Sequence, residues 1–225
     1  MVSVAGFVKI GCRQQRICFQ LCQDARIARL TSPVGNRVLE SLFTSIPIMS
    51  TEYRDVRRWT LELRSTSSPE LASLKDPIEW RETISTSDYL HFYKRVGEKW
   101  NWFDRAMMSS EQLKSILHET NREFGILQDA QKNNVGFTEV CYHSPLEVEF
   151  CYFGLFPDCI GRGLGRRHFS QIVARAIGRS DSGVLIWLTT CEWDSPRALP
   201  FYQKMGFEIV REDVCQQQVP AGFSD

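Results

Sequence analysis

A run of glycines between a strand and a helix constrains this chain more than any other feature. Ile160-Gly161-Arg162-Gly163-Leu164-Gly165-Arg166-Arg167 follows the apolar, strand-like residues 148–155 and precedes a segment of helical period. Phe169, Ile172, Val173, Ala176 and Ile177 recur on one helix face, and residues 178–183 supply a polar stop. Glycines at such a junction allow positive φ and close approach of a ligand to the backbone. A strand that breaks into glycines and then opens a helix presents unpaired N–H groups at a positive helix end, an arrangement that binds phosphate oxygens. Arg162, Arg166 and Arg167 add cationic charge to the same stretch.

Downstream, residues 184–190 (Val-Leu-Ile-Trp-Leu-Thr-Thr) read as a strand buried on both faces. Asp194 or Ser195 is placed to cap a helix beginning at Pro196, with Pro200 in or just past the first turn. Gly206 offers a left-handed stop, and residues 207–210 resume extended structure. A dinucleotide-binding turn of the Rossmann type fits poorly. It asks for Gly-x-Gly-x-x-Gly and an acid about twenty residues further on. Here Arg166 stands where the third spaced glycine belongs, and the first acid after the next strand is Glu192.

Residues 153–157 (Phe-Gly-Leu-Phe-Pro), the 161–165 turn and the later Ala198-x-x-x-Tyr202-x-x-x-Gly206-Phe207 together resemble the GNAT superfamily of acyl-CoA-dependent N-acetyltransferases. The resemblance is strongest over residues 147–210 and extends more weakly back to residue 57. It implies an α/β (α+β) fold: a mixed, mostly antiparallel sheet of about six or seven strands, splayed at its centre and flanked by about four helices. It also implies acetyl-CoA as co-substrate, an amine as acceptor, and no metal. The cofactor grip implied is the main chain of Gly161, Arg162, Gly163, Leu164, Gly165 and Arg166, flanked by Leu155, Phe156, Ile160 and Ser195. Two positions depart from the family pattern. Ile160 stands where Gln or Arg is usual, and Ser195 where Asn is usual.

Amine attack on a thioester needs a deprotonated amine, donors for the developing oxyanion and a proton for the departing thiolate. The resemblance assigns the last role to Tyr202. It aligns Glu149 with the general base of the histone-modifying branch, with Glu139 and Glu147 in reserve. An amide near Leu155 or Phe156 would face the oxyanion. Strict alternation puts Glu147, Glu149, Cys151, Phe153 and Leu155 on one face. Direct transfer in a ternary complex is the expectation, ahead of a covalent route through Cys151 or Cys159. A catalytically silent acyl-CoA-binding or regulatory module is the alternative reading.

The amino half suits the same fold. Residues 57–63 alternate as a first strand, residues 88–96 and 110–117 carry helical spacing, and Asn133-Asn134 signals a hairpin between residues 123–128 and 135–142. In the family, the connection between the first two helices walls the acceptor site. Trp100, Trp102 and Asp104 are therefore candidate acceptor contacts, aromatic faces with one carboxylate that suit a cationic amine.

With 27 basic and 27 acidic residues, the chain has no charge excess that would mark nucleic acid as its partner. No apolar run is long enough to span a bilayer. Eight cysteines without metal or Cys-x-x-Cys spacing point to a reducing compartment, hence a cytoplasmic expectation. Residues 1–48 carry Lys9, Arg13, Arg16, Arg26, Arg29 and Arg37 against Asp24 and Glu40. They read as a basic leader outside the fold, with the acetyltransferase domain at 49–225. If the leader is a transit peptide the location is an organelle matrix; the alternatives are a disordered leader and a translated upstream region with Met49 as the start. Oligomeric state, a homodimer included, is open.

Overall fold

The computed structural model describes residues 51–65, 76–180 and 183–224. The basic segment 1–48 and most of the 65–76 connection lie outside the described residues. The strands are β1 Thr51–Ser65, β2 Ile78–Arg81, β3 Arg122–Gln128, β4 Asn134–Ser144, β5 Glu147–Leu155, β6 Val184–Cys191 and β7 Glu208–Pro220. The helices are α1 Thr86–Gly97, α2 Ser110–Leu117, α3 Leu164–Ile177 and α4 Ala198–Lys204. All strands join one sheet in the order β2-β3-β4-β5-β6-β1-β7, antiparallel except for the β5–β6 pair. This is the mixed α/β fold the sequence implies.

Local signals explain most of the helices. Ser85 accepts a hydrogen bond from the Asp88 amide at the head of α1, and Ser109 with Gln112 forms a capping box on α2. The β3–β4 turn is held by Asp129, whose carboxylate accepts from the Gln131 and Asn133 amides and from Asn133 Nδ2. Its left-handed residue is Lys132, not either asparagine.

The first strand is not at an edge. β1 lies between β6 and β7, antiparallel to both, so the amino-terminal strand of the described residues pairs with the carboxyl-terminal one. Two expectations about the carboxyl half are also corrected. β6 buries alternate residues rather than both faces: Leu188 and Ile186 are enclosed, while Leu185 and Trp187 are half-buried and Thr189 is exposed. The last helix starts at Ala198 instead of Pro196 and has no side-chain cap.

β5 is where the sheet changes character. It pairs with β6 only from Glu147↔Leu185 to Phe150↔Leu188. Beyond Phe150 the two strands continue without pairing and leave a gap. On its other edge β5 carries a bulge: Glu139 faces Tyr152 and Val140 faces Phe150, so Cys151 is the extra residue. The bulge overturns the expected face. Phe150 and Phe153 both pack on Phe169 of α3, and Leu155 lies beside Gly165. Tyr152 instead packs on Tyr93 of α1. Phe153 and Leu155 are thus on the α3 side, opposite Glu149 and Cys151.

Candidate active site

The head of α3 is built for an anion. Gly163 occupies the N-cap position with φ 75°, no side chain caps the helix, and no acid lies in its first turn. Its first amides therefore have no intrahelical partner. A Cβ added at Gly161 (φ 88°) or Gly163 would meet nothing within 4 Å, so the turn opens onto free space. Arg162 and Arg166 are exposed beside it, whereas Arg167 is turned away to pair with Asp76 at 2.6 Å. Ile160 is exposed and Leu164 is buried beneath the turn. Cations, open glycines and uncapped amides fit the diphosphate of a CoA thioester.

The gap between β5 and β6 adjoins this turn. Phe156 donates its amide to Val135 O at 2.8 Å, and its ring is fully buried, so it is not the oxyanion donor. In an antiparallel ladder the next N–H points the other way. With Leu155 opposite Gly136, its N–H turns from β4 toward the gap. Of the two amides considered, only that of Leu155 faces it.

Tyr202, on α4, has its ring against Phe169 and Phe207, while its neighbour Phe201 stacks on Phe153 of β5. Its hydroxyl makes no hydrogen bond among the described residues. Burial, and after it the Asp194 carboxylate, push the phenol up, so it keeps its proton at neutral pH. Ser195 is half-buried and its hydroxyl accepts from the Arg197 amide.

Glu149 is not brought to Tyr202. It lies before the gap opens, on the other side of the sheet, with Oε2 2.8 Å from His143 Nε2. That imidazole stacks on Trp187. Contact with the Cys141 thiol, then Glu149, pushes His143 up to about 10. Nor is either reserve carboxylate free. Glu147 accepts from Trp187 Nε1 at 3.2 Å. Glu139, wholly buried, is held by Tyr89, Arg105 and Arg122. Burial alone would raise its carboxyl, but the two guanidiniums hold it below the ordinary range. Burial also pushes the Cys151 and Cys159 thiols up, which disfavours either as a nucleophile.

Among the acceptor candidates, Trp102 and Asp104 come together and Trp100 does not. Trp102 packs on Tyr93 and Tyr152, and Asp104 accepts from Tyr152 OH at 3.5 Å and from Gln217 Nε2. Trp100 ends a 3-10 turn and has no ring contact with this group among the described residues. Phe103 and Trp193 close on Phe223, so the carboxyl-terminal segment joins the same wall. Sequence reasoning missed Arg95, stacked over the Phe156 ring at 3.8 Å and paired with Asp158 beside the glycine turn. It also misplaced Asp194, whose carboxylate serves Thr190, Cys191 and Trp102 rather than a helix cap. A separate groove lined by Trp80, Arg175 and Arg179 lies toward the far end of α3.

Residues 79–207 match the sequence model of the Acetyltransferase (GNAT) family. The chain belongs to the GNAT family. The match leaves out β1 and all of β7, the two strands that complete this GNAT sheet. No curated protein matches the chain in sequence. Among solved structures, the fold is similar to a functionally unknown conserved protein from Staphylococcus epidermidis, with TM-score 0.53 and 13% identity over 92% of this chain and 79% of that one. It is also similar to a putative GNAT acetyltransferase from Novosphingobium aromaticivorans, with TM-score 0.50 and 15% identity over 79% and 70%. A GCN5-related N-acetyltransferase from Sphaerobacter thermophilus gives 0.49 and 17% over 76% and 54%, so this GNAT chain spans about half that neighbour's length. Among the described residues no helix is long and apolar enough to cross a membrane, and no cluster of metal-ligating side chains occurs.

Proposed function

We propose that the protein is an acetyl-CoA-dependent N-acetyltransferase acting on a cationic amine by direct transfer. The observation that carries this reading is the uncapped, glycine-entered head of α3 opening beside an unpaired stretch of β5. Acetyl-CoA supplies the activated acyl group, and everything else falls to this chain. The amides of residues 163–166 hold diphosphate oxygens, with Arg162 and Arg166 adding charge. The Leu155 N–H donates to the thioester carbonyl oxygen as it gains charge. Tyr202 gives its proton to the departing sulfur. Ser195 stays with the cofactor side.

The base is a water relay in this reading. Glu149 is tied to His143 and stands apart from Tyr202, which counts against the carboxylate. The acceptor meets the wall made by Trp102, Tyr152 and Asp104. No ion pair neutralises Asp104 among the described residues, so a protonated substrate matches its charge.

The test is release of free thiol from acetyl-CoA with a panel of amines of graded charge. Turnover with dicationic or polycationic amines and not with neutral ones supports the assignment. Tight CoA binding without thiol release for any acceptor replaces it with a silent binding module.

A further inference from the structure

One hydrogen bond spans the gap that the strand ladder leaves open. Trp102 Nε1 donates to Asp194 Oδ1 at 3.0 Å, between residues 92 apart in the chain. The two partners belong to opposite lips of the gap. Trp102 rests on the β5 lip, with its ring 5.1 Å from that of Tyr152 and its far edge over Gly154. A Cβ at Gly97 would collide with the same indole, so that glycine makes room for it, while Gly154 makes room for Val96 beside it. Asp194 follows the β6 lip and is fixed there, since Oδ2 accepts from Thr190 Oγ1 at 2.8 Å and from the Cys191 amide at 3.0 Å.

A carboxylate anchored by two donors from its own strand end has one oxygen left to aim, and it is aimed at the indole. Bonds to an ionised acceptor are the stronger kind. Asp194 also lies near enough to Tyr202 for its charge to be felt there. It therefore stands where the acceptor wall meets the residue that faces the leaving sulfur.

We propose that Asp194 is a positioning residue for the acceptor amine, clasping Trp102 across the β5–β6 gap and so fixing the wall against which the amine binds. This rests on the acetyltransferase reading for its kinetic consequences but not for the clasp itself. The diphosphate grip at α3 is made by a different element and is left unchanged by loss of the clasp.

The experiment compares Asp194→Ala, Asp194→Asn, Trp102→Phe and the Asp194→Ala/Trp102→Phe pair in the full chain. Asp194→Asn keeps a carbonyl oxygen for the indole N–H, so it separates loss of the clasp from loss of the residue. Expected is a rise of about tenfold in acceptor KM for Asp194→Ala and Trp102→Phe, as follows from losing one charge-assisted hydrogen bond. Asp194→Asn falls between, acetyl-CoA KM stays within about twofold of the parent, and the double variant adds nothing to the singles. Additive effects, or acceptor and acetyl-CoA KM rising together, overturn the proposal. Hydrogen exchange over residues 98–109, measured without substrates, decides the clasp independently of turnover. Faster exchange in Asp194→Ala and Trp102→Phe, with Asp194→Asn intermediate, supports it, and unchanged exchange overturns it. A parent chain that turns over no amine refutes the function reading instead, and the exchange result still stands.

Discussion

Replacing Gly163 by alanine separates what the glycine turn does for the fold from what it does for a ligand. Gly163 holds φ 75° at the N-cap of α3. An L-residue in that conformation costs about 1–2 kcal/mol, partly offset by about 0.4–1 kcal/mol from a stiffer unfolded chain. The added methyl meets no protein atom within 4 Å, so no packing penalty follows. The net cost of about 1 kcal/mol lowers Tm by roughly 2–4 °C in a domain of this size. Ligand binding suffers more. The methyl projects into the space where the diphosphate would sit, and one lost hydrogen bond from an amide to a charged oxygen costs about 1.5–3 kcal/mol. The Kd for CoA then rises roughly 10- to 150-fold.

Calorimetric titration with CoA and a thermal melt on the same sample measure the two effects separately. Gly222→Ala is the matched control. Gly222 has the same φ of 75° and equally open surroundings, but it lies past the end of β7. It should lose the same few degrees and keep its CoA affinity. If Gly163→Ala binds CoA within about twofold of the parent, or if Gly222→Ala weakens binding as much, the reasoning about the cradle is refuted.

Three further outcomes are expected. Tyr202→Phe should lower kcat by about 10²-fold or more at neutral pH with little change in CoA affinity, and steady-state thiol release checks it. Glu139→Gln leaves Arg105 and Arg122 buried without their shared anion, so urea denaturation near neutral pH should show a loss of about 3–5 kcal/mol. Because the folded Glu139 carboxyl is held below its ordinary value, its contribution is present above that value and is lost as pH falls through the folded one. The gap between variant and parent therefore narrows in acid. His143→Ala should cost less than about 1 kcal/mol at pH 6, because the pair with Glu149 is partly exposed and screened by solvent. The folded imidazole is pushed up to about 10, so the difference is full below the unfolded value and disappears as pH rises through about 10. Melts at pH 6 and above 10 decide it.

What could be read from the sequence was local. The glycine turn, the buried face of α3 and the left-handed Gly206 follow from φ preferences and a 3.6-residue period, which need no knowledge of the rest of the chain. What could not be read depends on a distant partner. Asp194 looks like a helix cap until Trp102 arrives from the α1–α2 connection to take its carboxylate. Glu139 looks like a spare base until Arg105 and Arg122 close on it. Arg95 reaches the glycine turn only because α1 packs against the strand end at Phe156. The alternation of β1 predicts a strand, but nothing in it says that the partners are β6 and β7.

The bulge at Cys151 shows why face assignments along β5 failed while the strand itself was found. Period-two alternation carries no mark of an inserted residue, and a slip of one residue sends every later side chain to the opposite face. Past Cys151 that slip puts Tyr152 and Gly154 on the α1 side and Phe153 and Leu155 on the α3 side. Gly154 is bound to this arrangement, because a Cβ there would collide with Val96. Were the bulge removed, Leu155 or Phe153 would face Val96 and Trp102, where only the glycine fits, and Tyr152 would leave Asp104. The same slip sets the order of N–H groups along the strand, so that Phe156 is spoken for by Val135 and Leu155 is left to face the gap. Bulge, glycine and gap are therefore one device, which aims a main-chain donor at the gap while it clears space for Val96 of α1.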